Sequence, residues 1–291
     1  DFSARHPSIF GVTPKDFEKQ LKLLANSGDF IHPNHFISDI EHCLSDKSNY
    51  YLITFDDGLK EQFDYAMPIL DSLNIQAVFF ANSINREEGK VSTVHKIHLL
   101  RSVLNPADFS QMLNAGNAPI LSDAEKQKAA EIYRYDDADS AAVKYLLNFK
   151  MDFTEQETLI KPIFEKHFSE SETVENLYMS EEQYKDLAQR GFLGSHTHSH
   201  YPLGLLSAPQ MEFELSHSKS YFEKLTNTEI AMVSYPYGTK ETSTDEVAET
   251  ARQAGYKAGF TTDRGQNKAN QNHLLLNRFD CNDLPGGRNF K

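Results

Sequence analysis

Two short apolar segments separated by one helical segment constrain the fold of this chain more than any other feature. Residues 50–55 (YYLITF) and 76–81 (QAVFFA) have the length and the β-rich composition of buried strands. The residues from about 60 to 73 between them have apolar side chains at helical spacing. A strand, a helix and a strand at this spacing predict a βαβ unit, in which the two strands run parallel.

The same alternation of strands and helices returns in the last third of the chain. Strands are predicted at 192–195, 230–234, 256–261 and 274–279, and helices at 181–190, 208–225 and 244–254. Ser180 and Gln183 fit a capping box before the first of these helices. A further helix is predicted at 12–26, where Thr13 is the expected N-cap and Pro14 the first helical residue.

Residues from about 86 to 180 follow a different pattern, because they lack β-rich runs. Helices are predicted there at 95–104, 123–135, 138–149 and 154–168. The whole chain is therefore predicted to be an α/β protein. We expect a distorted (β/α) barrel of parallel strands, formed as a single domain over residues 1–291, with a helical insertion at about 86–180.

The charge balance argues against binding to nucleic acids and to anionic membranes. The net charge is −13, and no sustained run of Lys or Arg is present. Nucleic-acid binding needs a basic surface to neutralise phosphates, and binding to an anionic membrane needs the same. No apolar run reaches transmembrane length, and no signal peptide is visible, which favours a cytoplasmic protein. The first residue is Asp1 rather than Met, however, so an exported mature chain from which an upstream segment has been removed is the alternative.

Polar clusters directly follow three of the predicted strands, where the active groups of parallel α/β folds gather. The first is Thr-Phe-Asp-Asp-Gly, which ends with Asp56, Asp57 and Gly58. Two adjacent carboxylates repel each other unless a cation or hydrogen bonds offset the repulsion. An ordinary Asp-Asp-Gly turn is the alternative interpretation of this cluster taken alone.

The second and third clusters are Ser-His-Thr-His-Ser-His at 195–200 and Ser-Tyr-Pro-Tyr-Gly at 234–238. Two histidines separated by three residues can converge on one ion. Two histidines and one carboxylate form the ligand set of many catalytic zinc sites, which leave positions open for water and substrate. The remaining carboxylate of the first cluster is then available as a general base.

In this order, Thr-Phe-Asp-Asp-Gly, His-Thr-x-Ser-His and Pro-Tyr-Gly resemble the motifs of the polysaccharide deacetylase family. That family is also called the nodulation-protein-B homology domain or carbohydrate esterase family four. The resemblance covers residues 50–81 and 191–279. It implies a metal-dependent hydrolase that removes N-acetyl groups from an amino sugar or a polysaccharide. Another acyl group, such as formyl, and a carbohydrate-binding protein that has lost catalysis are the alternatives.

The resemblance also implies a role for individual residues. Asp56 corresponds to the catalytic base, and the metal ligands are Asp57, His196 and His200. The expected cofactor is a divalent metal, with Zn²⁺ as the first choice. The backbone N–H of Tyr237 corresponds to the oxyanion donor of the family. Tyr235 and Tyr237 are also predicted to bind the N-acetylated sugar or glycan substrate, whereas His198 is interpreted as groove lining or plain surface.

The sequence departs from the family at the arginine that orients the base. Many members carry this arginine two residues before the proline of the third motif, where this chain has Ser234. Arg278, which follows three leucines at the end of the last predicted strand, is the best replacement and is therefore a third predicted catalytic residue. The alternative is that Arg278 pairs with Asp280 or Asp283 at the rim of the barrel.

The family also often supplies a histidine from its final motif, and this histidine is not recognisable here. Three histidines are therefore alternative candidates for the general acid. His273 precedes the last strand, so it is expected at the end of the barrel opposite to the three motifs. His95 and His98 share one face of a predicted helix. Water is a further alternative, and the sequence leaves all of them open.

Overall fold

Six parallel strands form the main sheet in a computed structural model, which describes residues 11–46, 48–132, 137–287 and 289–290. The chain divides into two compact units. One unit comprises Gly11–Lys90 and Thr173–Lys291, and the other includes Val91–Glu172. All predicted strands lie in the first unit.

Each strand of the main sheet pairs with the next strand along the chain, in the order β3-β4-β5-β6-β7-β8. All five pairings are parallel, and the sheet curls into a half-barrel. This confirms the predicted fold class. The strands are β3 Ile53–Phe55, β4 Ala77–Ala81, β5 Leu193–Ser195, β6 Met232–Ser234, β7 Ala258–Arg264 and β8 Leu276–Arg278. A separate two-stranded parallel sheet is formed by β1 (Asp29–Phe30) and β2 (Tyr50–Tyr51).

Helices connect the strands of this unit, and the predicted start signals hold. The side chain of Thr13 caps the first helix, and Ser180 and Gln183 form a capping box. The helices are Pro14–Leu24, Pro33–Ser38, Ile40–Ser45, Met67–Leu73, Ile84–Glu87, Glu181–Gln189, Ala208–Thr226 and Asp245–Gln253. The predicted helix at 60–73 contains a π-helical segment, Gln62–Ala66, before Met67.

Strand β4 contributes to two apolar clusters because successive side chains point to opposite faces of a sheet. Phe79, with its neighbours on the same face, packs against apolar side chains of several helices, including Leu215 and Phe222. Phe80 packs instead in a second cluster, with its ring 5.5 Å from that of Phe260 on β7. Both β4 rings are fully buried, so this strand anchors both sides of the sheet.

Gly194 in β5 is required by the close approach of Phe80. A Cβ atom at position 194 would lie 2.4 Å from Cδ1 of Phe80, which is fully buried and has no room to move aside. We therefore expect Gly194→Ala to lower the free energy of unfolding by about 1–3 kcal/mol through overpacking. Gly11→Ala is the matched control, because no atom of the described residues lies within 4 Å of an added Cβ there. Equal denaturation midpoints for the two variants would contradict this packing argument.

The structure corrects several predicted element bounds. Residues 50–55 do not form one strand: Tyr50–Tyr51 pairs with β1, whereas Ile53–Phe55 pairs with β4, so the apolar run serves two sheets. The observed β7 begins two residues later than the predicted strand and extends to Arg264. The short helices Pro33–Ser38 and Ile40–Ser45 were not predicted, because six residues are too few to show helical periodicity.

The second unit is helical, as predicted. Its helices are Thr93–Val103, Pro106–Ala115, Asp123–Ile132, Ala138–Tyr145, which continues as the π-helical Leu146–Lys150, and Phe153–Phe164. Pro106–Ala115 was not predicted, although Asn105 before Pro106 is a helix start signal. A further helix, Glu170–Leu177, crosses the boundary between the units. The end of the predicted helix 123–135 lies outside the described residues, and the single domain with an insertion at 86–180 stays a prediction.

A partly buried ion pair joins two residues of this second unit. Lys96 is 2% exposed, and its Nζ lies 2.7 Å from Oε1 of Glu170 and 5.6 Å from the ring centroid of Phe164. The backbone N–H of Val91 donates to the same carboxylate. None of the helices in the described ranges of either unit is long and apolar enough to span a bilayer.

Candidate active site

The turns that follow β3, β5 and β6 contain four residues other than glycine with left-handed backbone. The φ angles are 78° at Asp57, 66° at Thr197, 62° at His200 and 63° at Tyr237. Such angles are uncommon for residues with a Cβ atom, and they concentrate where the surrounding structure fixes a functional geometry. These turns belong to the three motifs singled out in the sequence.

The structure brings Asp57, His196 and His200 together. Oδ1 of Asp57 lies 3.4 Å from Nε2 of His196 and 3.2 Å from Nε2 of His200. One ligand atom from each residue lies within 4.8 Å of the others. Ligand atoms of a tetrahedral ion with bonds of 2.0–2.1 Å are about 3.3 Å apart, so the observed spacing fits one divalent ion.

The tautomer of His196 suits a metal ligand. Its Nδ1 lies 2.7 Å from the carbonyl oxygen of Ser234, which can only accept, so Nδ1 carries the proton and donates. The lone pair is then on Nε2, the atom that faces Asp57. The histidine is 2% exposed, and Nδ2 of Asn82 donates to its carbonyl oxygen. A backbone partner that fixes the ring in this way is common behind metal-binding histidines.

Two carboxylates surround His196 with negative charge. Burial lowers the pKa of His196, but Asp56 and Asp57 raise it by more, so the net pKa lies above the usual value. An environment that stabilises a proton on the imidazole also attracts a cation, and a metal ion competes for the same lone pair.

Asp56, which lies next to the ligand Asp57 in the chain, is bound by both terminal nitrogens of Arg278. Nη1 of Arg278 donates to Oδ1 of Asp56 at 2.9 Å, and Nη2 donates to Oδ2 at 2.8 Å. Nε of Arg278 donates to the carbonyl oxygen of Thr261 at 2.8 Å, which fixes the plane of the guanidinium. The predicted contact between Arg278 and Asp56 is therefore confirmed. A planar guanidinium matches a carboxylate in this two-bonded geometry.

The alternative partners of Arg278 have other contacts. Oδ2 of Asp283 lies 3.4 Å from Nε of Arg264, and Oδ1 of Asp280 accepts the backbone N–H of Asn282 at 2.7 Å. The interpretation in which Arg278 pairs at the rim is wrong.

Arg278 also controls the charge of the Asp56 carboxylate. Burial raises the pKa of Asp56, but Arg278 and then His196 lower it by more, and the net pKa lies below its usual range. Asp56 is thus held ionised beside a second carboxylate. The guanidinium that Ser234 cannot provide at its own position is provided by Arg278 on β8.

Tyr237 lies beside the ligand set, and its position differs sharply from that of Tyr235. The Tyr237 ring is 41% exposed and lies 5.4 Å from the His200 ring, edge to face. Its carbonyl oxygen accepts the hydroxyl of Thr262 at 2.8 Å, which holds the turn. Tyr235, by contrast, is fully buried and donates its hydroxyl to the carbonyl oxygen of Leu274. The structure corrects the predicted substrate contact of Tyr235, because its side chain is part of the core.

His273, one of the candidate general acids, lies away from this centre. Nε2 of His273 lies 3.0 Å from Glu41, and the carbonyl oxygen of His273 bonds to Gly259 near the start of β7. His273 therefore lies at the amino end of the sheet, as its sequence position suggested. His95 and His98 belong to the helical unit, on Thr93–Val103.

Comparison with known proteins supports one family. Residues 135–259 match the family model described as polysaccharide deacetylase. A Bacillus subtilis (strain 168) protein, YxkH, which carries a polysaccharide deacetylase assignment, is 31% identical over 114 residues. Over these residues the chain is similar to the polysaccharide deacetylase family. The alignment with YxkH covers 39% of this chain and only 40% of the length of that relative.

Solved deacetylase structures share the fold of this chain. The deacetylase PplD of Streptococcus pyogenes, solved with acetate, has a TM-score of 0.58 at 18% identity, over 94% of this chain and 82% of that one. IcaB of Ammonifex degensii has a TM-score of 0.53 at 17% identity, over 94% and 87%. These identities establish the fold alone.

The part of the chain that matches the family model holds only part of the site. It includes His196, His200 and Tyr237, begins after Asp56 and Asp57, and ends before Arg278. The three-dimensional structure joins these segments. Asn82, which holds the main chain at His196, was missed in the sequence although it directly follows β4, at a strand end of the same kind.

Proposed function

We propose that this protein is a metal-dependent hydrolase that removes N-acetyl groups from amino sugars in an oligosaccharide or polysaccharide. The observation that carries the proposal is the convergence of Asp57, His196 and His200 beside the Asp56–Arg278 pair. A ligand set of this kind next to an independent carboxylate suits hydrolysis of an amide by activated water.

Asp57, His196 and His200 would hold a divalent ion, for which zinc is the first choice from the two imidazoles and one carboxylate. Such an ion, when bound, supplies a Lewis acid for the acyl carbonyl and makes a nearby water easier to deprotonate. The same site residues would suit hydrolysis of an N-formyl group, so the assay below includes both N-acetyl and N-formyl substrates.

Asp56 is proposed to take the proton of the attacking water on its carboxylate. Each of its oxygens accepts one hydrogen bond from Arg278 and retains a further lone pair for this proton. The backbone N–H of Tyr237 is proposed to stabilise the negative charge that develops on the acyl oxygen. The left-handed backbone at Tyr237, held by the hydrogen bond from Thr262, sets the direction of this N–H.

The Arg278 contact argues against a carbohydrate-binding protein that has lost catalysis. Ser234 was one ground for that alternative, because it stands where many members of the family have an arginine. A partly buried arginine from β8, Arg278, pairs with Asp56 instead. Binding alone would need neither a base nor a cation that keeps it ionised.

Acetate release from oligomers of N-acetylglucosamine tests the proposal. The protein as purified should release acetate, a chelator should abolish the release, and added Zn²⁺ should restore it. Formate release from N-formyl oligomers, measured in parallel, decides the acyl group. Tight oligosaccharide binding without release of either acid, at full metal occupancy, would contradict the proposed hydrolysis and support the binding protein.

A further inference from the structure

A second set of potential ligands lies close to the loop that carries His196 and His200. It consists of Glu87, His198 and His217, and we refer to it as the Glu87 cluster. Oε2 of Glu87 lies 2.9 Å from Nε2 of His217 and 3.7 Å from Nδ1 of His198. One ligand atom from each of the three lies within 4.8 Å of the others. This spacing brackets the value of about 3.3 Å expected around a tetrahedral ion.

Three different segments hold the members of the Glu87 cluster in place. Glu87 ends the helix Ile84–Glu87, His217 lies on the helix Ala208–Thr226, and His198 lies in the loop after β5. The N–H of His198 donates to the carbonyl oxygen of Glu214, and its carbonyl oxygen accepts from Ile84. The backbone of His198 is therefore fixed on both sides, independently of its ring.

The ring of His198 has the contacts that orient a metal-binding imidazole. His198 is 3% exposed, and its Nε2 lies 3.1 Å from Oε1 of Glu88. The Glu88 carboxylate can accept a hydrogen bond from an N–H at this position. The tautomer with the proton on Nε2 leaves the lone pair on Nδ1, the atom that faces Glu87. Ser83 donates its hydroxyl to this nitrogen at 2.7 Å, so an incoming ion would displace that hydrogen bond.

Aromatic packing restricts the other imidazole in the same way. The ring of Phe213 stacks on the ring of His217, with centroids 4.6 Å apart, and contacts the ring of His198 edge to face. The centroids of the two imidazoles are 4.8 Å apart. Both rings are thus held near one another before any ion arrives, which lowers the ordering cost of binding.

We propose that the Glu87 cluster is a second binding site for a divalent metal of the zinc class, distinct from the site of Asp57, His196 and His200. Glu87, His198 and His217 supply three ligands, Glu88 orients His198, and water completes the coordination. The side chains of Glu87 and His217 are 29% and 35% exposed, so the ion is better hydrated than at the first site. The affinity is accordingly lower, and this ion is the first to leave on dialysis.

An ion in the Glu87 cluster acts on the loop between the two sites. His198 stands midway between His196 and His200, and its ring would be tied to the helices that carry Glu87 and His217. The ion thereby stabilises the loop in the conformation that presents the first ligand set. Its role is structural, because no atom of the cluster needs to touch a substrate.

Zinc titration of the metal-stripped protein by calorimetry tests this second site. The unaltered protein should bind two equivalents of Zn²⁺, Asp57→Ala should keep the weaker one, and His217→Gln should keep the tighter one. His273→Gln is the matched control, because His273 also pairs with a single glutamate, Glu41, but belongs to no group of three potential ligands among the described residues. Thermal unfolding without metal establishes that each variant is folded.

The outcomes separate this proposal from the proposed function. A zinc equivalent that survives Asp57→Ala, disappears in Asp57→Ala/His217→Gln and raises the melting temperature of Asp57→Ala supports the Glu87 cluster. A single equivalent in the unaltered protein, lost in Asp57→Ala and unchanged in His217→Gln, overturns it and leaves the first site standing. Binding that falls equally in His273→Gln and His217→Gln is adventitious surface binding and also overturns it.

Discussion

Asp56→Asn is expected to lower the rate of deacetylation by about two to four powers of ten, the usual contribution of a general base. The variant should retain its metal, because the three proposed ligand side chains are unchanged. Asp57→Asn should lower both the rate and the metal content, because an amide oxygen is a weaker ligand than a carboxylate. The two adjacent aspartates would then have separate tasks, proton transfer for one and metal binding for the other.

Steady-state kinetics and elemental analysis of the same preparations distinguish these tasks. The asparagine at position 56 keeps one oxygen that can accept from Arg278, but its amide nitrogen cannot accept from the second guanidinium nitrogen. Denaturant unfolding of Asp56→Asn therefore establishes that the variant is folded before its rate is compared. Equal metal loss in Asp56→Asn and Asp57→Asn would contradict the division of tasks. Full activity in Asp56→Asn would show that another group takes the proton.

Arg278→Ala is expected to lower the turnover rate by at least ten-fold, and each ten-fold loss corresponds to about 1.4 kcal/mol of transition-state stabilisation. Metal content and KM should change little, because Arg278 contacts the base and none of the proposed ligands. Without the guanidinium, burial and Asp57 raise the pKa of Asp56. A base that ionises only at higher pH moves the acidic limb of the rate profile to higher pH.

Two further variants give this prediction its controls. Arg278→Lys keeps the positive charge and loses the two-bonded geometry, so it should restore part of the rate and part of the pH profile. Arg264→Ala removes an exposed arginine from β7 that pairs with Asp283 and should leave both unchanged. An unaltered pH profile in Arg278→Ala would show that Arg278 has only a structural role.

The convergence of the proposed metal ligands was predictable because it follows from topology. In a sheet of parallel strands the carboxyl ends meet at one edge, so the turns after β3, β5 and β6 had to lie near one another. The contact between Arg278 and Asp56 was predictable for a different reason. An arginine after three leucines on a strand needs a partner, and the base lacked the arginine that many relatives carry.

The remaining features depend on distances that the sequence does not encode locally. His217 and Glu87 are 130 residues apart, and neither lies in a recognisable motif, so their pairing required the three-dimensional structure. Tyr235 was misassigned because a turn motif does not tell which way its first tyrosine points. Its backbone N–H bonds to the carbonyl oxygen of Phe260, and its ring turns into the core.

The ion pair between Arg278 and Asp56 joins the two outermost strands of the sheet. Asp56 directly follows β3, the first strand in the order, and Arg278 ends β8, the last. Strand β8 has only three residues and one neighbouring strand, and short edge elements are where local unfolding begins. Each local opening of β8 would withdraw the guanidinium and leave the base with a raised pKa, while every proposed metal ligand stays in place. Local opening of this edge strand is therefore expected to lower the rate reversibly, because it removes the contact that lowers the pKa of Asp56 most.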